Sequence, residues 1–118
     1  ISAMKDLTII IPTFNEKDNI KKVYEAIKTS LDINITWEIV FVDDNSRDGT
    51  FKEIENIINT DKRVRAILRS NRRGLSSAVI EGFLSSYSEF FLVMDGDMQH
   101  DQTKINLLLK TIKEKKLD

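Results

Sequence analysis

The chain has 118 residues, with 18 Lys and Arg against 19 Asp and Glu, a formal charge of -1 and no cysteine. That length fits one compact domain with a real core and leaves little room for a second. The charge balance creates no broad positive field, so nucleic acid is excluded as an expected partner; the lack of cysteine excludes disulfides, thiolate metal sites and cysteine nucleophiles, and fits a reducing compartment.

Ile1 to Ala3 precede Met4 and read as an expression remnant, and the N-terminus carries no signal-peptide or transit-peptide pattern. The first apolar run, Leu7 to Ile11, has strand length. It is followed by Asn15 as a candidate N-cap and by Ile20, Val23, Tyr24, Ile27 and Leu31 on one helical face. The second run is Glu38 to Val42. Thr50 and Glu53 then have capping-box spacing ahead of Phe51, Ile54, Ile57 and Ile58. After the third run, Val64 to Leu68, helical spacing recurs at Leu75, Ala78, Val79, Gly82 and Phe83. The fourth, Phe90 to Met94, precedes Asp101 as a candidate N-cap and Ile105, Leu108, Leu109 and Ile112. Each strand reads as buried on both faces, and Trp37 and Tyr24 read as core or rim. The longest apolar runs fall far short of the roughly 20 residues a membrane helix needs, so a soluble chain is expected.

A strand-helix unit repeated four times, with no linker or fixed-period repeat, implies a single α/β domain over residues 1–118. The expected architecture is a parallel sheet with right-handed crossovers and helices on both faces. In such a sheet ligands bind beyond the carboxyl ends of the strands. Those ends read Pro12-Thr13-Phe14-Asn15-Glu16, Asp43-Asp44-Asn45-Ser46 and Asp95-Gly96-Asp97-Met98-Gln99-His100. Five carboxylates therefore meet on one edge, a crowding that a divalent cation offsets economically. Hard oxygen ligands with at most one imidazole favour Mg²⁺ or Mn²⁺ over Zn²⁺. Neither a P-loop nor G-x-G-x-x-G is present, so phosphates are expected to meet the metal and Arg69, Arg72 or Arg73, unless that cluster is merely a solvated loop.

Taken together, Ile10-Ile11-Pro12-Thr13-Phe14-Asn15-Glu16, Val42-Asp43-Asp44-Asn45-Ser46-Arg47-Asp48-Gly49-Thr50, Arg73-Gly74-Leu75-Ser76-Ser77-Ala78 and Met94-Asp95-Gly96-Asp97-Met98-Gln99-His100 resemble family-2 glycosyltransferases. The likeness is greatest to the dolichyl-phosphate mannose synthase type and its bacterial polyprenyl-phosphate relatives. It implies the glycosyltransferase-A (Rossmann-like) fold and an inverting hexose transfer from a UDP- or GDP-sugar to a polyprenyl phosphate. By position, the resemblance puts Pro12, Phe14, Glu16, Asp44 and Arg73 at the nucleotide and Asp95, Asp97 and Gln99 at the metal, with Asp97 also catalytic. Asp43 is expected to order its loop. Phe14 stands where the family often has Tyr, and Gly96 where Ala is common. Because family members continue through further strands, the chain is expected to be an N-terminal part, able to bind donor but not to transfer. The whole protein is expected in the cytoplasm, peripheral to the inner face of a membrane.

Three alternatives remain at this stage. A family-2 enzyme acting on a saccharide acceptor would need a dedicated base. A non-catalytic acidic-pocket module, such as a receiver domain, explains one acidic pair but not Pro12 to Glu16 or the second pair. A sugar nucleotidyltransferase usually opens on a Gly-rich, Arg-containing loop that is absent here.

Overall fold

A computed structural model of the chain describes residues 4–70, 74–96 and 102–116. Strands and helices alternate: β1 Lys5–Thr13, α1 Lys17–Ser30, β2 Trp37–Asp43, α2 Thr50–Ile58, β3 Val64–Leu68, α3 Leu75–Leu84, β4 Ser88–Val93 and α4 Gln102–Lys116. The four strands form one sheet in the order β3-β2-β1-β4, and all three pairings are parallel. This is the expected α/β architecture. Sequence order reverses between β1 and β4, because the crossover from β3 through α3 carries the chain back to the far side of β1. That reversal opens a crevice at the carboxyl ends of β1 and β4.

The period-2 alternation of the central strands divides the core in two. Leu7, Ile9, Ile11, Ile39 and Phe41 face one side, with Ile20, Val23 and Ile27 of α1, Ile54 and Ile57 of α2, and Ile105, Leu109 and Ile112 of α4. Ile10, Val40 and Val42 face the other, where the buried helical partner is Ala78 of α3. Among the described residues, three helices thus cover one face and a single helix the other. The small residues Ala78 and Gly82 let α3 lie close to the sheet: a Cβ on Gly82 would come within 2.6 Å of Ile10 Cγ2. Trp37 and Tyr24 are both in the core. Among the described residues no helix is long and apolar enough to cross a membrane.

Several local expectations need correction. Burial on both faces holds for β1 and β2, but β3 and β4 are edge strands: only Val64 of β3 and no residue of β4 is buried, and Leu68 and Val93 are exposed. The apolar face of α3 is buried at Ala78 and Gly82 alone, whereas Leu75 and Phe83 are exposed. Thr50 does not form a capping box. It is the first residue of α2, and its N–H and hydroxyl both donate to Asp48 Oδ1, two positions upstream. Asn15 does not cap α1 either. It takes the left-handed conformation, φ 54°, a region that Asn tolerates better than most residues, and its side chain turns away to accept the Arg47 N–H at 3.1 Å. Asp101 lies outside the described residues.

Candidate functional site

The carboxyl ends of β1, β2 and β4 surround an open cleft of about 480 Å³, within the range of small-molecule sites. Pro12, Thr13, Phe14 and Glu16 line it after β1, Asp44 after β2, Gly74 and Leu75 at the start of α3, and Asp95 and Gly96 after β4. The fold therefore gathers Pro12, Phe14, Glu16, Asp44 and Asp95 from separate strand ends. Arg73, Asp97 and Gln99 lie outside the described residues. A second concavity, among Asp32, Asn34, Ile35, Lys113 and Lys116, sits at the opposite end of the sheet, away from these acids. A third, apolar and beneath α1 and α4, has room for little more than one water molecule, about 20 Å³.

The loop after β1 is held by the loop after β2. Asn15 N–H donates to Ser46 Oγ at 2.8 Å, Glu16 N–H to Thr50 Oγ1 at 2.9 Å, and Lys17 N–H to Asp48 Oδ2 at 3.2 Å. Asp48 is held below the usual carboxylate range chiefly by the Thr50 hydroxyl, with backbone N–H groups adding to the effect. These bonds fix the path of Phe14, a residue 42% exposed that lines the cleft, and an aromatic ring there has the chemistry to stack on a base.

The adjacent acids after β2 divide their work. Asp43 is fully buried and accepts the Thr13 hydroxyl at 2.8 Å, the Ser46 N–H at 3.0 Å and the Ser46 hydroxyl at 2.7 Å. It joins β1 to the loop after β2 and does not line the cleft, as expected of a loop-ordering residue. Asp44 lines the cleft and meets Arg69, whose Nε donates to Asp44 Oδ1 at 2.5 Å. Arg69 is neither a solvated loop residue nor disposed toward phosphate. Its side chain is 2% exposed, and its other nitrogens reach Ser77 Oγ at 2.8 Å, the Gly74 carbonyl at 3.0 Å and Glu81 at 3.7 Å. Hydrogen bonding to Asp44 holds its pKa above the ordinary guanidinium value.

Spacing alone did not reveal that role, although sheet register does. Asp43 pairs with Leu68 across β2 and β3, and Arg69 N–H donates to the Asp43 carbonyl at 2.8 Å, so the next residue on each strand arrives side by side.

The donor chemistry suits a hard divalent cation. Asp95 is an exposed carboxylate on the cleft wall, and no sulfur or imidazole lines that wall among the described residues. Beside it, Gly96 allows a close approach of chain segments: a Cβ there would meet Thr13 Cγ2 at 3.2 Å and the Pro12 carbonyl at 3.3 Å. Among the described residues, no group of three His, Cys, Asp or Glu side chains is arranged to hold a metal.

Comparison with known proteins gives concordant likenesses. The family profile described as glycosyl transferase family 2 matches residues 8–118. A dolichol-phosphate mannosyltransferase of Pyrococcus furiosus is 38% identical over 107 residues, 91% of this chain and 30% of that protein. The dolichol-phosphate mannosyltransferase of Saccharomyces cerevisiae is 34% identical over 109 residues, 91% of this chain and 41% of that protein. The chain thus spans well under half the length of either relative. In fold it is similar to a mannosyltransferase of Pyrobaculum calidifontis solved with GDP-Man and Mn²⁺, with a TM-score of 0.69 at 24% identity, covering 81% of this chain and 28% of the other.

Proposed function

The chain belongs to glycosyl transferase family 2, and from that membership we propose that residues 1–118 form the nucleotide-sugar-binding part of a metal-dependent, inverting hexosyltransferase. Its donor is a UDP- or GDP-sugar and its acceptor a polyprenyl phosphate. The observation that carries the reading is the cleft at the sheet's topological switch point, where an exposed aromatic ring, Phe14, and two carboxylates, Asp44 and Asp95, share one wall system. Two relatives named as dolichol-phosphate mannosyltransferases, and a fold neighbour solved with GDP-Man and Mn²⁺, support the donor and acceptor classes.

In this reading the nucleobase stacks on Phe14 and donates an N–H to Asp44, while Pro12 and Glu16 shape the pocket. Asp95, with Asp97 and Gln99, holds Mg²⁺ or Mn²⁺, and Arg73 meets the donor. When bound, the cation neutralises charge on the diphosphate leaving group. Asp97, at the diphosphate, has the catalytic role. A polyprenyl phosphate has a second pKa near ~6 and is largely ionised at neutral pH, so it attacks the anomeric carbon without a dedicated base. A lipid acceptor sets the reaction at a membrane surface. We assign the cytoplasmic face, which the cysteine-free composition suits.

Titration calorimetry tests the donor half. Mg²⁺ or Mn²⁺ is expected to bind weakly alone and more tightly with UDP or GDP, whose phosphate oxygens complete the coordination shell. Unchanged metal-dependent nucleotide binding in Asp97→Ala would remove that residue from the site. Full-length protein incubated with labelled UDP-glucose or GDP-mannose and a short polyprenyl phosphate tests the acceptor half; transfer to a free sugar but not to the lipid phosphate would overturn it. Residues 1–118 assayed beside it should bind donor and transfer nothing, and robust turnover would show that no further segment is needed.

A further inference from the structure

We propose that Arg69 is a positioning residue for the nucleotide cleft, fixing the Asp44 carboxylate for base recognition and tying it to the start of α3. The inference rests on the nucleotide reading of the cleft. A guanidinium 2% exposed to solvent is costly unless its donors are paired. Arg69 meets that requirement with acceptors from two parts of the fold. Asp44 supplies one from the end of β2; Ser77, the Gly74 carbonyl and Glu81 supply the others from α3 and its N-cap. Ser77 and Glu81 are four residues apart, so they lie on the same face of α3 and meet the same guanidinium.

The effect on Asp44 is specific. Oδ1 receives Arg69 Nε–H, and Oδ2 receives the Gly74 N–H at 3.3 Å, so the carboxylate is held at both oxygens. A carboxylate oxygen can accept more than one hydrogen bond, which leaves acceptor capacity for a base N–H while side-chain rotation is already suppressed. Less ordering entropy is then lost when the nucleotide arrives. Arg69 thus acts on the base through Asp44, not on the phosphates, because its nitrogens are turned into the β2–α3 junction.

The test is a double-mutant cycle read by titration calorimetry with Mn²⁺ present, using UDP, GDP and, as a ligand without a base, inorganic pyrophosphate. Arg69→Lys keeps the charge but cannot span Asp44, Ser77 and Gly74 together. It is expected to weaken the preferred nucleotide about tenfold or more while leaving pyrophosphate within about twofold. In an Asp44→Ala background it should cost nothing further. Ser77→Ala, which removes one acceptor of the guanidinium, provides a milder variant should Arg69→Lys fail to fold. It is expected to give a smaller loss of the same kind, confined to the nucleotide. Equal weakening of pyrophosphate, additive losses in the double variant, or unchanged nucleotide affinity in Arg69→Lys would each overturn the assignment; so would unchanged affinity in Ser77→Ala if it is the variant that folds. Failure of the wild-type protein to bind either nucleotide would instead overturn the nucleotide reading, and this inference with it.

Discussion

Asp43 and Asp44 are neighbours in sequence with separable consequences. Asp43 accepts three hydrogen bonds in full burial, so Asp43→Asn, which turns an acceptor into a donor, is expected to lower unfolding stability by about 2 kcal/mol. Asp44 lies at the cleft, and Asp44→Ala should cost roughly 1.5 to 3 kcal/mol in nucleotide affinity as well as stability, since it leaves the buried Arg69 guanidinium without its charged partner, whereas Asp43→Asn should act on stability with little direct effect on affinity. Denaturant titration and calorimetry on the two variants check the division, and equal profiles would refute it. Gly82 makes a different residue-scale case. Replacing a mid-helix glycine with alanine usually stabilises a helix by about 1 kcal/mol, but here the added Cβ meets Ile10 Cγ2 at 2.6 Å, and Ile10 is itself buried in the sheet. Overpacking of this kind costs about 1–3 kcal/mol. Gly82→Ala is therefore expected to be net destabilising in urea unfolding, and less so in an Ile10→Ala background, where the obstructing methyl groups are gone.

Between elements, the helix layer on the better-covered face is fastened by one charged group. Asp61, in the turn between α2 and β3, accepts the Tyr24 hydroxyl of α1 at 2.6 Å and two guanidinium contacts from Arg63 at 2.9 Å, while Arg63 lies 4.0 Å from the centre of the Trp37 ring at the start of β2. The Arg63 hydrogen bonds hold Asp61 well below the usual carboxylate range, despite its burial. Burial, reinforced by Asp61, pushes Tyr24 up to about 12. With the folded Asp61 pKa below its unfolded value, the unfolded chain binds the extra proton in acid. Its contribution is present above pH ~4 and lost as pH falls toward the folded pKa. Tyr24 acts in the opposite range: its contribution is intact below pH ~10 and fades as pH rises toward 12. Stability measured against pH should fall at both limits, and Asp61→Asn should flatten both arms; unchanged arms would remove this cluster as their source. None of these partners was legible in the sequence. Periodicity put Tyr24 on the apolar face of its helix, and Tyr24 and Trp37, read as core or rim, are both in the core, but a repeat cannot pair side chains 37 residues apart. Helix starts were misread for the same reason: Asn15 and Thr50 have capping chemistry, yet Asn15 accepts Arg47 N–H across the loop and Thr50 is held by Asp48.

At the scale of the whole molecule, the strand-helix alternation made the parallel sheet legible, and acids directly after strands marked the edge where Pro12, Phe14, Glu16, Asp44 and Asp95 gather. What escaped was the unequal cover of the two sheet faces, since helical spacing at Leu75, Val79 and Phe83 looks the same whether or not a neighbour packs against it. With α3 the only helix on its face among the described residues, Leu75, Ile80, Phe83 and Leu84 are all at least half exposed, as is Tyr87 just beyond the helix. Phe83 still rests against Phe91 of β4, with ring centroids 4.6 Å apart, but Ile80 and Leu84 have no comparable ring contact among the described residues. Clustered exposed apolar side chains of this size favour association in water and bind apolar dyes. Residues 1–118 in isolation should therefore enhance ANS fluorescence and sediment faster as concentration rises. Ile80→Glu with Leu84→Lys is expected to suppress both signals. The pair carries opposite charges at i and i+4, with the acid N-terminal, so helix formation is not compromised. Because neither side chain lines the cleft, nucleotide affinity should stay within about twofold, a margin well below the loss expected when a hydrogen bond to a charged partner is removed. A wild-type chain that stays monomeric without binding ANS would show that the exposed face of α3 is not adhesive; a double variant that loses nucleotide binding would show instead that the exposed face of α3 communicates with the cleft.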